Sequence, residues 1–348
     1  MILKENIPLA HYTTFKIGGP ARFFCVVTSE DGLDEAVALA RRERLRILVL
    51  GGGSNILVSD AGFPGVVIKN EIMGRSITPI GNLATATGYR VSVGAGELWD
   101  GVVDMCVSAG LYGLENLSAI PGTAGAAPVQ NIGAYGAEVA RTISMVRAFD
   151  TRKMRFIELS NKECHFGYRH SLFKEKKGRY IITRVEFLLS KQGMVDTRYK
   201  DITEYFAAKP GTNGNAAPTL ADVRHAVVDI RWKKLPDWKL WGTAGSFFKN
   251  PVISRRRYDK LKAAHPGLPG FPEPDGRMKV PLGWILDRIC HARGEMIGNV
   301  GTYERQALVL VTKPGATATE VVARAKELMD LVERDTGIKI EAEVEWVN

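Results

Sequence analysis

The chain has 348 residues, 45% hydrophobic and 24% charged, which is ordinary for a globular protein of two or three domains. It contains no run of 18 or more apolar residues, so a membrane-spanning helix is excluded. The formal net charge of +9 and a pI near 9.3 favour anionic partners. The basic residues are scattered, however, and the one compact run (Arg255, Arg256, Arg257) is too short for a nucleic-acid tract, so small anionic ligands explain the charge equally well.

Cys25, Cys106, Cys164 and Cys290 lie far apart, with no CxxC and no Cys/His metal-ligand spacing. Each is expected to be a small buried hydrophobe in a reducing compartment, and no metal is expected. The first residues carry no signal-peptide apolar stretch, so a cytoplasmic location is expected.

In chain order, the turn at Gly18, Gly19 and Pro20 leads into a Phe/Val-rich strand. Ser29 is the expected N-cap of a helix whose apolar stripe is Leu33, Ala36, Val37 and Ala40. A hydrophobic strand then runs into Gly51, Gly52, Gly53, Ser54 and Asn55. This departs from the dinucleotide fingerprint GxGxxG because Ile56 stands where the third glycine belongs. The residues that follow read as strand, turn, strand, so a phosphate nest between strands is expected instead. Strands are expected around residues 85–93. A helix from Glu97, with Leu98, Val102, Met105, Cys106 and Ala109 on one face, should end at Gly110.

Residues 113–136, GLENLSAIPGTAGAAPVQNIGAYG, carry one charged side chain, Glu115, and five glycines: Gly113, Gly122, Gly125, Gly133 and Gly136. Pro121 and Pro128 stiffen the path, and Leu117, Ile120, Val129 and Ile132 mark it as buried. A Gly/Pro cluster is commonly a surface turn, but a long uncharged segment of this kind suits a backbone cradle for a phosphorylated cofactor.

Residues 146–150 and 155–159 read as a hairpin, and 179–190 as a strand. In FGYRHSLF (166–173), Arg169 is either an exposed strand-end arginine or a functional one; His170 is given no role. Residues 207–218 are a turn-rich loop, followed by a helix over 220–228. In GTAGSFFKNP (242–251), Ser246 is either a turn serine or a proton donor placed by Gly242 and Gly245. The nucleophile-elbow pattern G-x-S-x-G is not met. A helix over 281–294 should use Leu282, Ile285, Leu286 and Ile289 as its stripe, and residues 305–311 form a buried strand. Thr317 and Glu320 form a capping box for a helix ending at Gly337. The closing strand IKIEAEVEW alternates, with Glu341, Glu343 and Glu345 on the face expected to meet solvent.

Together GGGSN, residues 113–136, FGYRHSLF, KKLPD (233–237), AGSFFKNP, QALVL (306–310) and EAEVEW (341–346) resemble the UDP-N-acetylenolpyruvoylglucosamine reductases, the MurB family, in order over nearly the whole chain. Departures are GGGSN where some members carry GEGSN, and EAEVEW where many have a proline before the glutamate and a basic residue after it. The resemblance implies an α+β chain: an FAD-binding module of the vanillyl-alcohol-oxidase (PCMH) type, then a smaller α/β substrate-binding domain. The expected boundaries are 1–195 for the first (subdomains about 1–70 and 71–195), 196–218 for a linker, and 219–348 for the second.

The resemblance further implies a flavoenzyme of peptidoglycan precursor synthesis. NADPH reduces FAD, hydride then passes to C3 of the enolpyruvyl ether of a UDP-sugar, and Ser246 gives a proton to C2. Arg169 would activate substrate and Glu343 would share catalysis. FAD would be held by Gly51, Gly52, Gly53, Ser54, Asn55, Gly113, Leu114, Glu115, Ile120, Pro121, Gly122, Thr123, Gly125, Ala126, Gln130, Asn131, Ile132, Gly133, Ala134, Tyr135 and Gly136. The UDP-sugar would meet Tyr168, Lys234, Asn250 and Gln306, with Tyr199 closing over the nucleotide from a loop. A monomer is expected, with no nucleic-acid or membrane partner. The alternative on the same fold is an oxygen-dependent flavin oxidase.

Overall fold

The computed structural model describes residues 2–82, 85–208 and 217–348. The chain forms two compact units, each assembled from separated stretches. The first comprises Met1–Ile7, Ala21–Gly52 and Pro64–Trp232; the second comprises Pro8–Pro20, Gly53–Phe63 and Lys233–Asn348.

The first unit is built on two sheets. One orders its strands as Leu3–Pro8, Pro20–Val27, Phe63–Asn70 and Ile47–Leu50, the last two parallel. The helix Glu30–Arg42 is capped by Ser29, whose hydroxyl accepts from Gly32 N–H at 3.1 Å. All four expected stripe residues are buried beside Val66 and Ile68. The other sheet orders Arg155–Ser160, Ile143–Asp150, Tyr180–Ser190, Gly88–Gly94 and Arg75–Pro79, antiparallel throughout. The helix Trp99–Ser108 packs on it through Trp99, Val102, Val103 and Cys106. Leu98 was expected in that stripe but is 65% exposed. The helix begins at Trp99, two residues later than expected, and the indole of Trp99 takes the inward position, donating to Leu117 O at 2.9 Å.

The expected linker 196–218 is not a linker throughout. Lys200–Ala207 is a helix, residues 209–216 of the turn-rich stretch lie outside the described residues, and Leu220–Lys234 is a second helix, longer than expected. Ile202, Val223, Val227 and Ile230 make one apolar cluster that includes Tyr135. Arg224 grips Asp100 through two bonds of 2.7 and 3.0 Å. These contacts place residues 219–232 in the first unit, not at the start of the second as the expected boundary had it.

In the second unit the helix Ala318–Thr336 opens on the expected capping box and closes on Gly337 at φ 67°. Its N-terminus is capped again by Asp60, which accepts from Ala318 N–H (2.7 Å), Thr319 N–H (2.9 Å) and the Thr319 hydroxyl (2.7 Å). Burial pushes the Asp60 carboxyl up, but these three donors outweigh it and hold it below its ordinary value. Val321, Ala325, Leu328 and Val332 join Phe247, Phe248, Leu282 and Leu310 in the core. The helix expected over 281–294 is confined to Leu282–Arg288. The closing strand is shorter than its alternation suggested: only Glu345–Val347 forms a ladder, parallel to Ile56–Val58.

Among the described residues no helix is long and apolar enough to cross a membrane. All four cysteines are free. Burial pushes the thiols of Cys25 up to about 11 and of Cys106 and Cys164 up to about 12. Cys290 is only half-buried, short of the burial expected of all four.

Candidate active site

In the first unit, residues 95–98 and 122–125 run against each other. Ala124 N–H donates to Glu97 O (2.8 Å), Gly125 N–H to Ala95 O (2.9 Å) and Trp99 N–H to Gly122 O (3.1 Å). The chain after the strand Ile47–Leu50 meets this turn from the other side. A Cβ on Gly52 would lie 2.8 Å from Gly122 Cα, and one on Gly51 would lie 2.6 Å from Thr123 Oγ1. Only glycine permits that approach, so two stretches seventy residues apart share one backbone surface with almost no side-chain cover. A dinucleotide's phosphates suit such a surface, since backbone N–H groups can approach them closely. Lys69 donates to Gly51 O at 2.7 Å, and burial pulls its ammonium below its ordinary value.

Not every expected cradle residue offers its side chain. Glu115 is buried and accepts from Gly113 N–H at 2.7 Å. Asn131 is buried too. Its amide donates to Glu138 Oε2 and Gly167 O, both at 3.0 Å, and its oxygen accepts from Ala140 N–H at 3.0 Å. Asn131 (φ 47°) and Tyr135 (φ 48°) both sit in the left-handed region, a cost of order 1 kcal/mol each that the surrounding bonds sustain. Leu114 is fully buried and Ile132 nearly so, so both serve as core beneath the turns.

Arg169 stands beside this cradle. Its Nη2 donates to Gly133 O at 2.9 Å, and its guanidinium lies 5.4 Å from the Tyr168 ring centroid. The ambiguity of the FGYRHSLF arginine is thereby reduced: it is bonded to the glycine-rich run and not merely exposed at a strand end. Tyr199 directly precedes the helix Lys200–Ala207 and meets the Tyr135 ring edge-on at 5.3 Å. Burial pushes the Tyr135 phenol up to about 12, partly opposed by the nearby Arg231. Arg231, which the sequence did not single out, sends Nε to Ala119 O at 3.1 Å. In the sequence it falls beyond the helix expected over 220–228, next to Lys233 and Lys234, and nothing there marks it as buried.

The second unit collects the other expected residues. Gly53 closes on the backbone of Tyr12, where a Cβ would stand 1.9 Å from the carbonyl oxygen. Asn55 Nδ2 donates to Glu343 O (3.3 Å), and Glu345 N–H donates to Asn55 O (3.0 Å). Thus GGGSN is divided: Gly51 and Gly52 belong to the first unit, and Gly53, Ser54 and Asn55 to the second.

Ser246 follows a tight passage. Gly242 lies where a Cβ would be 2.1 Å from Thr312 Oγ1, and Gly245 has φ 73°. Ser246 then bridges Val309, while Phe247 N–H donates to Leu308 O at 2.9 Å. On its other side Phe247 O accepts from Glu343 N–H at 2.8 Å, and Phe248 bridges Ala342. Ser246 and Glu343 therefore sit on directly bonded segments. Glu341 is exposed and paired with Lys249 at 2.8 Å, whereas Glu343 and Glu345 are half-buried, so the three glutamates do not share one solvated face. Asn250 Oδ1 accepts from Leu282 N–H at 2.9 Å, and a Cβ on Gly283 would lie 2.5 Å from Gln306 Oε1. Lys234 ends the helix that began at Leu220.

The FAD binding domain family matches residues 21–152, and the UDP-N-acetylenolpyruvoylglucosamine reductase C-terminal domain matches residues 236–347. A UDP-N-acetylenolpyruvoylglucosamine reductase of Ralstonia nicotianae is 42% identical, with 98% of each chain covered. One from Neisseria meningitidis serogroup A is 41% identical over 99% of this chain and 97% of its own. The crystal structure of the Thermus caldophilus reductase (MurB) aligns over 100% of both chains with a TM-score of 0.68 at 25% identity.

Proposed function

The chain belongs to the UDP-N-acetylenolpyruvoylglucosamine reductase family, and on that premise we propose that it reduces the enolpyruvyl ether of UDP-N-acetylglucosamine to the lactyl ether, UDP-N-acetylmuramate, with NADPH as reductant. The observation that carries the reading is the direct backbone bond between the Phe247 and Glu343 segments, which joins a glycine-placed serine to a half-buried glutamate in a chain whose other unit holds the FAD-domain cradle.

FAD, when bound, supplies the hydride delivered to C3 of the enolpyruvyl group. The chain's residues supply position and charge. Gly51, Gly52, Gly122 and Thr123 provide the close backbone surface for the dinucleotide. Adding hydride at C3 places negative charge on C2 and the adjoining carboxylate. Arg169 offers guanidinium donors to that charge, and Glu343 shares in catalysis. Ser246 gives its proton to C2. Among the described residues no hydrogen bond engages the Ser246 hydroxyl, which leaves it available for that transfer. A serine hydroxyl is a weak acid, so the step depends on a strongly basic acceptor and fixed geometry.

Tyr168, Lys234, Asn250 and Gln306 are proposed to hold the UDP-sugar, with Tyr199 above the nucleotide. We place the substrate-binding part chiefly in residues 233–348, with that aromatic residue contributed from outside it. The enzyme is proposed to act as a cytoplasmic monomer, with its positive charge serving the anionic UDP-sugar and NADPH and not nucleic acid or a membrane surface.

The test is anaerobic and visible. NADPH should bleach the purified yellow protein, and the enolpyruvyl UDP-sugar should restore the colour and yield a product two mass units heavier. Rapid reoxidation by dissolved oxygen, unaffected by the UDP-sugar, would instead establish a flavin oxidase.

A further inference from the structure

Residues 167–170 make a tight turn closed by two reciprocal backbone bonds, His170 N–H to Gly167 O and Gly167 N–H to His170 O, each 3.0 Å. Tyr168 and Arg169 are its corners. Arg169 has φ 52°, a setting unfavourable for a residue with a side chain, so the surroundings must hold it. Three side-chain bonds do this, and they fall on every second residue of one cradle stretch. Asn131 Nδ2 holds Gly167 O at 3.0 Å, Arg169 Nη2 holds Gly133 O at 2.9 Å, and the Ser171 hydroxyl donates to Val129 O. The turn is thus tied at its start, its tip and its end.

We propose that Ser171 is a positioning residue for Arg169: by bonding the Val129 carbonyl, its hydroxyl fixes the end of the turn that presents the guanidinium beside Gly133. Ser171 is completely buried, and its oxygen also accepts from Lys174 N–H at 3.2 Å, capping the short helix Leu172–Glu175. Lys174 in turn donates through Nζ to Arg169 O at 3.2 Å. The carbonyl side of the arginine's backbone therefore depends on this hydroxyl, directly and through Lys174. A cap alone would need no bond to Val129, which lies 42 residues away in sequence. Without that bond the segment leaving the turn loses its tie to the cradle, and the setting of Arg169 loosens. The inference rests on the role proposed above for Arg169.

The experiment separates the two half-reactions in the FAD-loaded enzyme. Ser171→Ala should keep its flavin and its rate of reduction by NADPH within twofold. Reoxidation by the enolpyruvyl UDP-sugar should slow by about 10- to 100-fold, the loss that a displacement near 1 Å produces. Ser171→Cys, nearly the same size with a weaker donor, should fall between. In an Arg169→Ala background, Ser171→Ala should slow reoxidation no further. Wild-type reoxidation in either serine variant overturns the proposal, as does an equal fall in both half-reactions. If Arg169→Ala itself reoxidises normally, the assigned role of the arginine fails; if only the serine variants do, the positioning role fails alone.

Discussion

A Gly52→Ala variant should lose FAD well before it loses its fold. The added methyl would sit 2.8 Å from Gly122 Cα, a backbone atom that cannot rotate aside. Carbon atoms in contact prefer about 3.5 Å or more, so the two stretches must part by roughly 0.7 Å. Overpacking of this kind costs about 1–3 kcal/mol. If the strain falls on the FAD-bound state, affinity drops by roughly 5- to 150-fold. The assay is flavin absorbance per mole of protein after gel filtration, with FAD titrated back into stripped protein by fluorescence quenching. Gly88→Ala is the control, because its methyl would meet Ile80 Cδ1 at an ordinary 3.6 Å. Stoichiometric flavin with unchanged affinity in Gly52→Ala would refute the idea that this glycine contact builds the cofactor surface.

Ser246→Ala should leave flavin reduction by NADPH nearly intact while slowing reoxidation by the UDP-sugar by about 10²- to 10⁴-fold; stopped-flow traces in which both steps fall alike would count against proton donation. Asp60→Ala should destabilise the protein by about 1–2 kcal/mol through loss of a second cap on Ala318–Thr336, read by urea unfolding; an unchanged midpoint would refute the second cap's contribution. Glu30 is held below its ordinary carboxylate value chiefly by the Arg147 guanidinium, with bonds of 2.8 and 2.9 Å. A depressed native value means the pair stabilises above the unfolded value near 4.5 and loses that contribution as pH falls through the folded one. The Tm gap between wild type and Glu30→Gln should therefore be widest at neutral pH and close under acid; a gap independent of pH would contradict the ion-pair account.

Local chemistry was readable wherever it was self-contained. Ser29, the Thr317 and Glu320 box and Gly337 each act within one turn of helix, and each does what its type suggests. The hairpin over Ile143–Asp150 and Arg155–Ser160 was readable for the same reason. Errors began where a distant partner decides the outcome. The alternation of residues 338–346 is real in its burial, with Ile338, Ile340 and Val344 inside. Yet most of that stretch answers irregularly to the backbone of Phe247 and Lys249, and only its end finds a parallel neighbour in Ile56–Val58. Nor could periodicity reveal that GGGSN is cut between two units, or that Arg231 reaches back to Ala119. Among the strand glutamates, family resemblance alone singled out Glu343; the structure adds its bond to Phe247.

The make-up of the second unit bears on synthesis. Residues 8–20 and 53–63 are made well before Lys233–Asn348, yet the strand that pairs with Ile56–Val58 is Glu345–Val347. The first unit has all its stretches once Trp232 has emerged, while those two segments must wait for residues 233–348. A truncation just before Glu345 would thus strip Ile56–Val58 of its strand partner, and the damage would surface far upstream of the cut.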